Sequence, residues 1–216
     1  MLCWSCQREA GSGAFCVACG ALQPANDAAD AFSVLGLPAR YGIDLATAEA
    51  AYKEQSRQVH PDRFATADPR ARRASLARTV QLNQAWLTVK DPLRRAGYLL
   101  ERAGMLIGGD DKKSAVGGGD DKRTAEVSAP PAFLLEIIEL HEELRAARRA
   151  GDSVKVAFMA EEIRGRAAQS MAGIAEALDS GDRARLEKAA RSFMAMRYYQ
   201  RFLEEALADA GGGHGP

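Results

Sequence analysis

The chain has no net charge, no long apolar run and few histidines, and each shortage narrows what it can be. Lys plus Arg and Asp plus Glu both number 29, so no basic field is offered to nucleic acid or to an anionic membrane. Its apolar runs fall far short of the roughly 20 residues of a helical membrane span. There are only three histidines, and no nucleophile–base pair is visible, so no catalytic residue is expected. His141 lies in a helical stretch among acids and His214 in a Gly-rich tail, and both are expected at the solvated surface. β-Branched runs are scarce, while Ala, Arg, Leu and Glu abound, which favours helix. Cys3 follows Met1 so closely that no signal or transit segment is expected before it. The expectation is a helical, cytoplasmic chain of 216 residues, long enough for more than one core.

Cysteine is also rare, but its four occurrences are patterned. Cys3, Cys6, Cys16 and Cys19 form C-x2-C-x9-C-x2-C within residues 1–23. Each C-x2-C pair can offer two sulfurs to one ion, and four thiolates complete a tetrahedron. Gly11, Gly13 and Gly20 are expected to supply the turns. So short a segment buries little, so metal binding supplies most of its folding free energy. One structural zinc is expected; iron in a rubredoxin-like site shares the spacing. A reducing cytosol argues against disulfides, and no βαβ pattern surrounds either pair to suggest redox work. A zinc-ribbon nucleic-acid binder is disfavoured because Arg8 is the sole base in residues 1–31.

The next segment reads as a helical hairpin. Phe32 to Pro38 gives one apolar turn stopped by glycine and proline, and Asp44 is a candidate N-cap for a helix over Leu45 to Val59. Leu45, Ala48, Tyr52, Ser56 and Val59 recur at helical spacing and should face inward, with Lys53 and Arg57 facing water. Pro61 ends this helix at His60. His60, Pro61 and Asp62 then form a polar corner that presents an imidazole and a carboxylate to solvent, and Phe64 can fold back between the helices. A second helix over Ala71 to Val89 should bury Leu76, Val80 and Leu87, with Leu82 and Trp86 beside them. Asp91 and Pro92 start the next helix.

Residues 106–131 contain Gly108-Gly-Asp-Asp-Lys112 and its near repeat Gly118-Gly-Asp-Asp-Lys122, which reads as a flexible polar linker. Three helices follow over residues 132–208, with breaks at Gly151-Asp152 and Ser180-Gly181-Asp182, and residues 209–216 read as a disordered tail. On the first of these helices Phe133, Ile137, Leu140 and Leu144 share one face, while Leu134, Leu135, Ile138 and Glu142 share the other. On the last, Ala189, Phe193, Met196, Leu203 and Leu207 share a face, and Tyr198 and Phe202 point away from it. The fold class is therefore all-α: a zinc knuckle, a helical hairpin and a C-terminal three-helix bundle.

A hairpin tipped by His60-Pro61-Asp62 resembles a J-domain, the module that stimulates ATP hydrolysis by DnaK-type chaperones. Phe32 to Tyr41, His60 to Phe64, Leu82-Asn-Gln-Ala-Trp86 and Asp91 to Leu100 together resemble the HscB family, J-domain co-chaperones of iron–sulfur cluster assembly. The cysteine knuckle is similar to the N-terminal extension of eukaryotic-type members and of some bacterial ones. The resemblance implies a J-domain over residues 30–105 that binds a DnaK/HscA-type chaperone through Lys53, Arg57, His60, Pro61 and Asp62. It also implies a bundle that holds the IscU-type cluster scaffold. Leu134, Leu135, Ile138, Glu139 and Glu142 match the first half of that scaffold-binding patch, and Arg197 and Tyr198 match the second. The implied protein is an activator of a partner ATPase rather than an enzyme. A general J-domain co-chaperone delivering unfolded polypeptides is the alternative, and it lacks the expected Gly/Phe-rich segment or β-rich client domain.

Overall fold

Side-chain caps set most of the helix starts. Asp30 accepts from the backbone N–H groups of Phe32 and Ser33 and opens α1 (Ala31–Leu35), and Gly36, at φ 71°, closes it. Asp44 caps α2 (Leu45–Val59) through the Ala46 N–H. Asp68 caps α3 (Pro69–Lys90) through the Arg70 N–H. Asp91 accepts from the Arg94 N–H at the start of α4 (Pro92–Arg102). Such caps satisfy donors that a helix start otherwise leaves bare, each worth about 1 kcal/mol. The computed structural model describes residues 1–107, 125–127 and 129–208. The chain divides into two compact units, Met1–Arg95 and Ala96–Pro216.

In the first unit, α2 and α3 form a hairpin around a small core that includes Phe32, Leu35, Ala48, Val59 and Leu82. A 3-10 turn, Pro61–Phe64, makes the corner, and Phe64 is half-buried. Ser75, itself buried, donates its hydroxyl to the Val59 carbonyl at 2.6 Å, which satisfies an acceptor at the end of α2. Tyr52 stacks on Trp86 at 5.2 Å and donates to Asn83 Oδ1 at 2.9 Å. The buried face of α3 is not the expected one. Leu76, Val80 and Leu87 are exposed, and the helix buries Ala71, Ala74, Ser75, Leu82, Ala85 and Val89 instead. Small side chains let α1 and α2 approach closely, so size rather than hydropathy sets the inward face. Leu45 is also exposed, since it opens α2 at its outer end and Ala48 makes the buried contact of that first turn.

In the second unit, α5 (Pro131–Arg149), α6 (Ser153–Ser180) and α7 (Arg183–Leu207) form the three-helix bundle. Asp152 and Asp182 cap α6 and α7. Phe133 meets Tyr198 and Tyr199 edge-on, and His141 meets Phe202, so α5 and α7 run in the same direction. α7 buries a wide arc that includes Leu186, Ala190, Met194, Tyr199 and Phe202. Phe202 is thus a core residue rather than an outward one, because α7 packs against more than one neighbour, and Leu207, the last residue of α7, is exposed. Gly97 lies in α4 where an added side-chain carbon would stand 2.7 Å from Phe193 Cζ. The all-α class holds. Among the described residues the strands are two three-residue segments, β1 (Met105–Ile107) and β2 (Ala125–Val127), paired in parallel at the edges of the segment expected as linker. Residues 108–124 and 128, with the rest of that expectation, lie outside the described residues, as do the tail from 209 and His214.

Candidate functional site

The N-terminal knuckle is built from two matching turns. Cys3 O accepts from the Gln7 N–H at 3.0 Å, and Cys16 O accepts from the Gly20 N–H at 2.9 Å. The residue after each pair adopts positive φ, 59° at Gln7 and 72° at Gly20. Gly20 was expected in that role; Gln7 fills the equivalent place in the first turn, and Gly13 does not adopt positive φ. The turns bring all four Sγ atoms within 4.8 Å of one another. Cys3–Cys19 and Cys6–Cys16 lie at 3.7 and 3.8 Å. Those separations exclude a disulfide and match the edge of about 3.8 Å of a tetrahedron with metal–sulfur bonds of about 2.3 Å.

The electrostatics also suit a cation. Burial works to raise the Cys3 thiol, but the N–H groups of Cys6 and Ser5 and the neighbouring Cys19 and Cys16 thiols bring it down to about 6. At Cys19 an N–H from Ala21 lowers the value, yet desolvation and the other three cysteines push it up to about 11. Four thiolates cannot gather unaided, and a divalent ion removes that conflict. Gln23, buried, donates Nε2 to Cys3 Sγ at 3.3 Å and to Ala21 O at 2.7 Å, a second layer behind the sulfurs that sequence reading missed.

At the hairpin tip, Asp62 is 90% exposed and His60 half-exposed. His60 Nδ1 accepts from the Asp62 N–H at 3.3 Å and lies 3.4 Å from Asp62 Oδ2. This orients the ring at the half-exposed corner. Lys53 and Arg57 are exposed on α2, paired with Glu49 at 2.7 Å and Glu54 at 2.5 Å. Such exposed surface pairs add little to stability, so a docking partner can exchange them at little cost.

In the bundle, Leu135 and Ile138 are 62% and 53% exposed, with Glu139 and Glu142 also exposed on α5. Leu134 is half-buried, Arg197 is exposed, and Tyr198 is half-buried against the Phe133 ring at 5.6 Å. His141 is not a solvated surface residue. Its side chain is 14% exposed, and Nδ1 lies 2.6 Å from Glu205 Oε2.

Residues 129–207 match the family model described as the HSCB C-terminal oligomerisation domain. The co-chaperone protein HscB homolog of Cupriavidus taiwanensis is 30% identical over 178 residues, 82% of this chain and 93% of that one. The homolog of Burkholderia mallei is 31% identical over 180 residues, 83% and 91% of the two chains. The crystal structure of human co-chaperone HscB superposes with a TM-score of 0.77 at 23% identity, covering 98% of this chain and all of that one. HscB from Vibrio cholerae gives 0.64 at 24% identity over 85% of this chain. The two solved structures share the fold, and the sequence relatives define the class as a co-chaperone. The chain belongs to the HscB family.

Proposed function

We propose that the chain stimulates the ATPase of a DnaK/HscA-type chaperone and brings an IscU-type iron–sulfur scaffold to it, in the cytoplasm and without an active site of its own. The observation that carries this reading is the exposed His60-Pro61-Asp62 corner at the tip of a rigid hairpin. Pro61 fixes the backbone and His60 is held by the Asp62 N–H, so the two polar groups meet a partner with little ordering entropy left to lose. Lys53 and Arg57 steer the encounter toward an acidic surface. Leu134, Leu135, Ile138, Glu139, Glu142, Arg197 and Tyr198 form the scaffold-binding patch in this reading. Exposed Leu135 and Ile138 support it, since adjacent apolar side chains left in water mark a docking face. Holding scaffold and chaperone on one chain raises the effective concentration of one at the other.

The cysteine knuckle, by this account, is a form of the family's N-terminal extension. Cys3, Cys6, Cys16 and Cys19 hold one zinc ion. Four thiolates fill its coordination, so it supplies folding free energy rather than chemistry.

The test is single-turnover ATP hydrolysis by a DnaK/HscA-type chaperone. The chain alone should accelerate it, and chain with scaffold should accelerate it further. Acceleration by the chain with unfolded polypeptide but not with scaffold would favour a general J-domain co-chaperone.

A further inference from the structure

The first unit holds a cleft of about 550 Å³ between the cysteine knuckle and the helical hairpin, a volume within the range of small-ligand sites. Ser12 to Ala14, in the loop that joins the two cysteine pairs, line it, with Ala28 and Ala29 before α1, Gln55 of α2 and Arg78 of α3. Val34, Val59 and Leu82 give it an apolar lining. Several polar groups of this lining have no use within the fold. Arg78 spends Nε on the Gln23 carbonyl and Nη2 on those of Pro24 and Gly13, while Nη1 donates to nothing among the described residues. No acid among those residues pairs with it, and burial disfavours its charge. A half-buried guanidinium without a counter-ion is a favourable place for an anion. The N–H groups of Ser12, Gly13 and Ala14 likewise donate to no acceptor among the described residues, and the half-buried Gln55 amide is in the same position. Asp30 also lines the cleft, but its Oδ1 is taken by the Phe32 and Ser33 N–H groups.

The geometry points to a site for the C-terminal end of an extended peptide, with the terminal carboxylate on Arg78 and the last side chain against Val34, Val59 and Leu82. Each feature of the lining has a use in that occupant. One unpaired cation balances a monoanion, whereas a phosphate dianion would keep excess charge in the cleft. The free N–H groups and the Gln55 amide match the carbonyls of an extended backbone, which need partners once they leave water. The apolar lining takes a side chain such as Val or Leu out of water. Capture of a terminal carboxylate by backbone N–H groups is a recurring mode of peptide recognition. An internal Asp or Glu fits less well, because its carboxylate replaces the apolar side chain instead of standing beside it.

Because Ser12 to Ala14 belong to the loop between the cysteine pairs, the knuckle takes part in recognition in addition to its own folding. A single ion pair and one apolar side chain make the binding weak and reversible. The inference does not depend on the proposed chaperone or scaffold partners.

Amide NMR of the isotope-labelled full chain tests it, with three probes: acetyl-Ala-Ala-Leu with a free carboxylate, the same peptide as its C-terminal amide, and isovalerate. The free-acid peptide should give saturable shifts at Ser12 to Ala14, at Ala28 and at the Arg78 Nε–H. The amide and isovalerate should each bind at least tenfold more weakly. Arg78 also ties α3 to the chain before α1, so the variants leave it intact. Gln55→Glu and Ala28→Glu each set a negative charge in the cleft at a side chain outside the core. Both should melt as wild type does and bind the free-acid peptide at least tenfold more weakly. Absence of saturable shifts with that peptide up to about 10 mM overturns the proposal. So does equal binding of the amide, which removes the carboxylate from the account. Isovalerate binding as tightly as the peptide overturns the peptide occupant in favour of a free acid. If Gln55→Glu melts early, Ala28→Glu decides, and undiminished binding there overturns it.

Discussion

Arg78 donates from Nε to the Gln23 carbonyl at 2.6 Å, so the middle of α3 is tied to the segment that follows the cysteine knuckle. Gln23 in turn donates its side-chain amide to Cys3 Sγ at 3.3 Å. The same guanidinium reaches Pro24 O at 2.9 Å and Gly13 O at 3.4 Å, and Arg70 lies over the Trp4 ring at 6.0 Å. The knuckle is therefore fastened to the hairpin by a charged group whose removal leaves carbonyls unsatisfied. Arg78→Ala should cost about 1–3 kcal/mol and lower the melting temperature without changing helical content. Circular dichroism at 25 °C and through a thermal melt checks both. An unchanged melt would mean that knuckle and hairpin fold independently.

Metal content follows from the sulfur geometry. The purified chain should carry one zinc equivalent, and acid or a strong chelator should release it, because thiolates bind only when deprotonated. Helical content should persist after release, since the helices have their own cores, while the melt should shift down through the Gln23–Arg78 link. Chain isolated from zinc-replete medium with four titratable thiols and no metal would contradict the assignment.

Glu205 ties pH to bundle stability. Desolvation works to raise its carboxyl, but hydrogen bonds from His141 and Arg145 and their charges hold it below the ordinary value of 4.5. A carboxyl depressed on folding adds stability that is complete above its unfolded value and is lost as pH falls through the folded one. The bundle should thus weaken progressively below about pH 4.5. Glu205→Gln should be less stable than wild type at pH 7 and flatter across the acid range. Urea melts at a series of pH values read this out, and equal slopes for the two chains would remove Glu205 from the account.

Much of this organisation was legible in sequence because it depends on local chemistry. Asp44, Pro61, Asp91 and Gly181 mark helix ends by capping and by backbone restriction, and two residues between paired cysteines build a turn in any context. Faces that depend on neighbours were harder to read. α3 turns alanines inward because its partners come close, so counting large apolar residues chose the wrong side. Phe202 and His141 are enclosed by helices distant in sequence, and no spacing within α5 or α7 announces that His141 will find Glu205 64 residues away. Gln23 and Arg78 carried no motif, and only the packed structure shows what they join.

The exposed and buried sides of α5 should separate binding from folding. Leu135→Ser with Ile138→Ser removes apolar area already in water, so the melt should stay within about 0.5 kcal/mol of wild type. Scaffold affinity should fall by roughly 2 kcal/mol or more if these side chains centre the interface. Ile137→Ala, a few ångströms away but buried, should instead destabilise the bundle by about 2–5 kcal/mol. Calorimetric titration beside a thermal melt distinguishes the two, and a double variant that melts normally and still binds would move the patch elsewhere.

The most direct test of the account is single-turnover ATP hydrolysis by a DnaK/HscA-type chaperone in the presence of His60→Gln. The ring is half-exposed at the corner, so the substitution opens no cavity, and stability should change by only about 0.5 kcal/mol. The account predicts a folded chain that still binds the scaffold and no longer accelerates hydrolysis. Stimulation equal to wild type by the folded variant would contradict it.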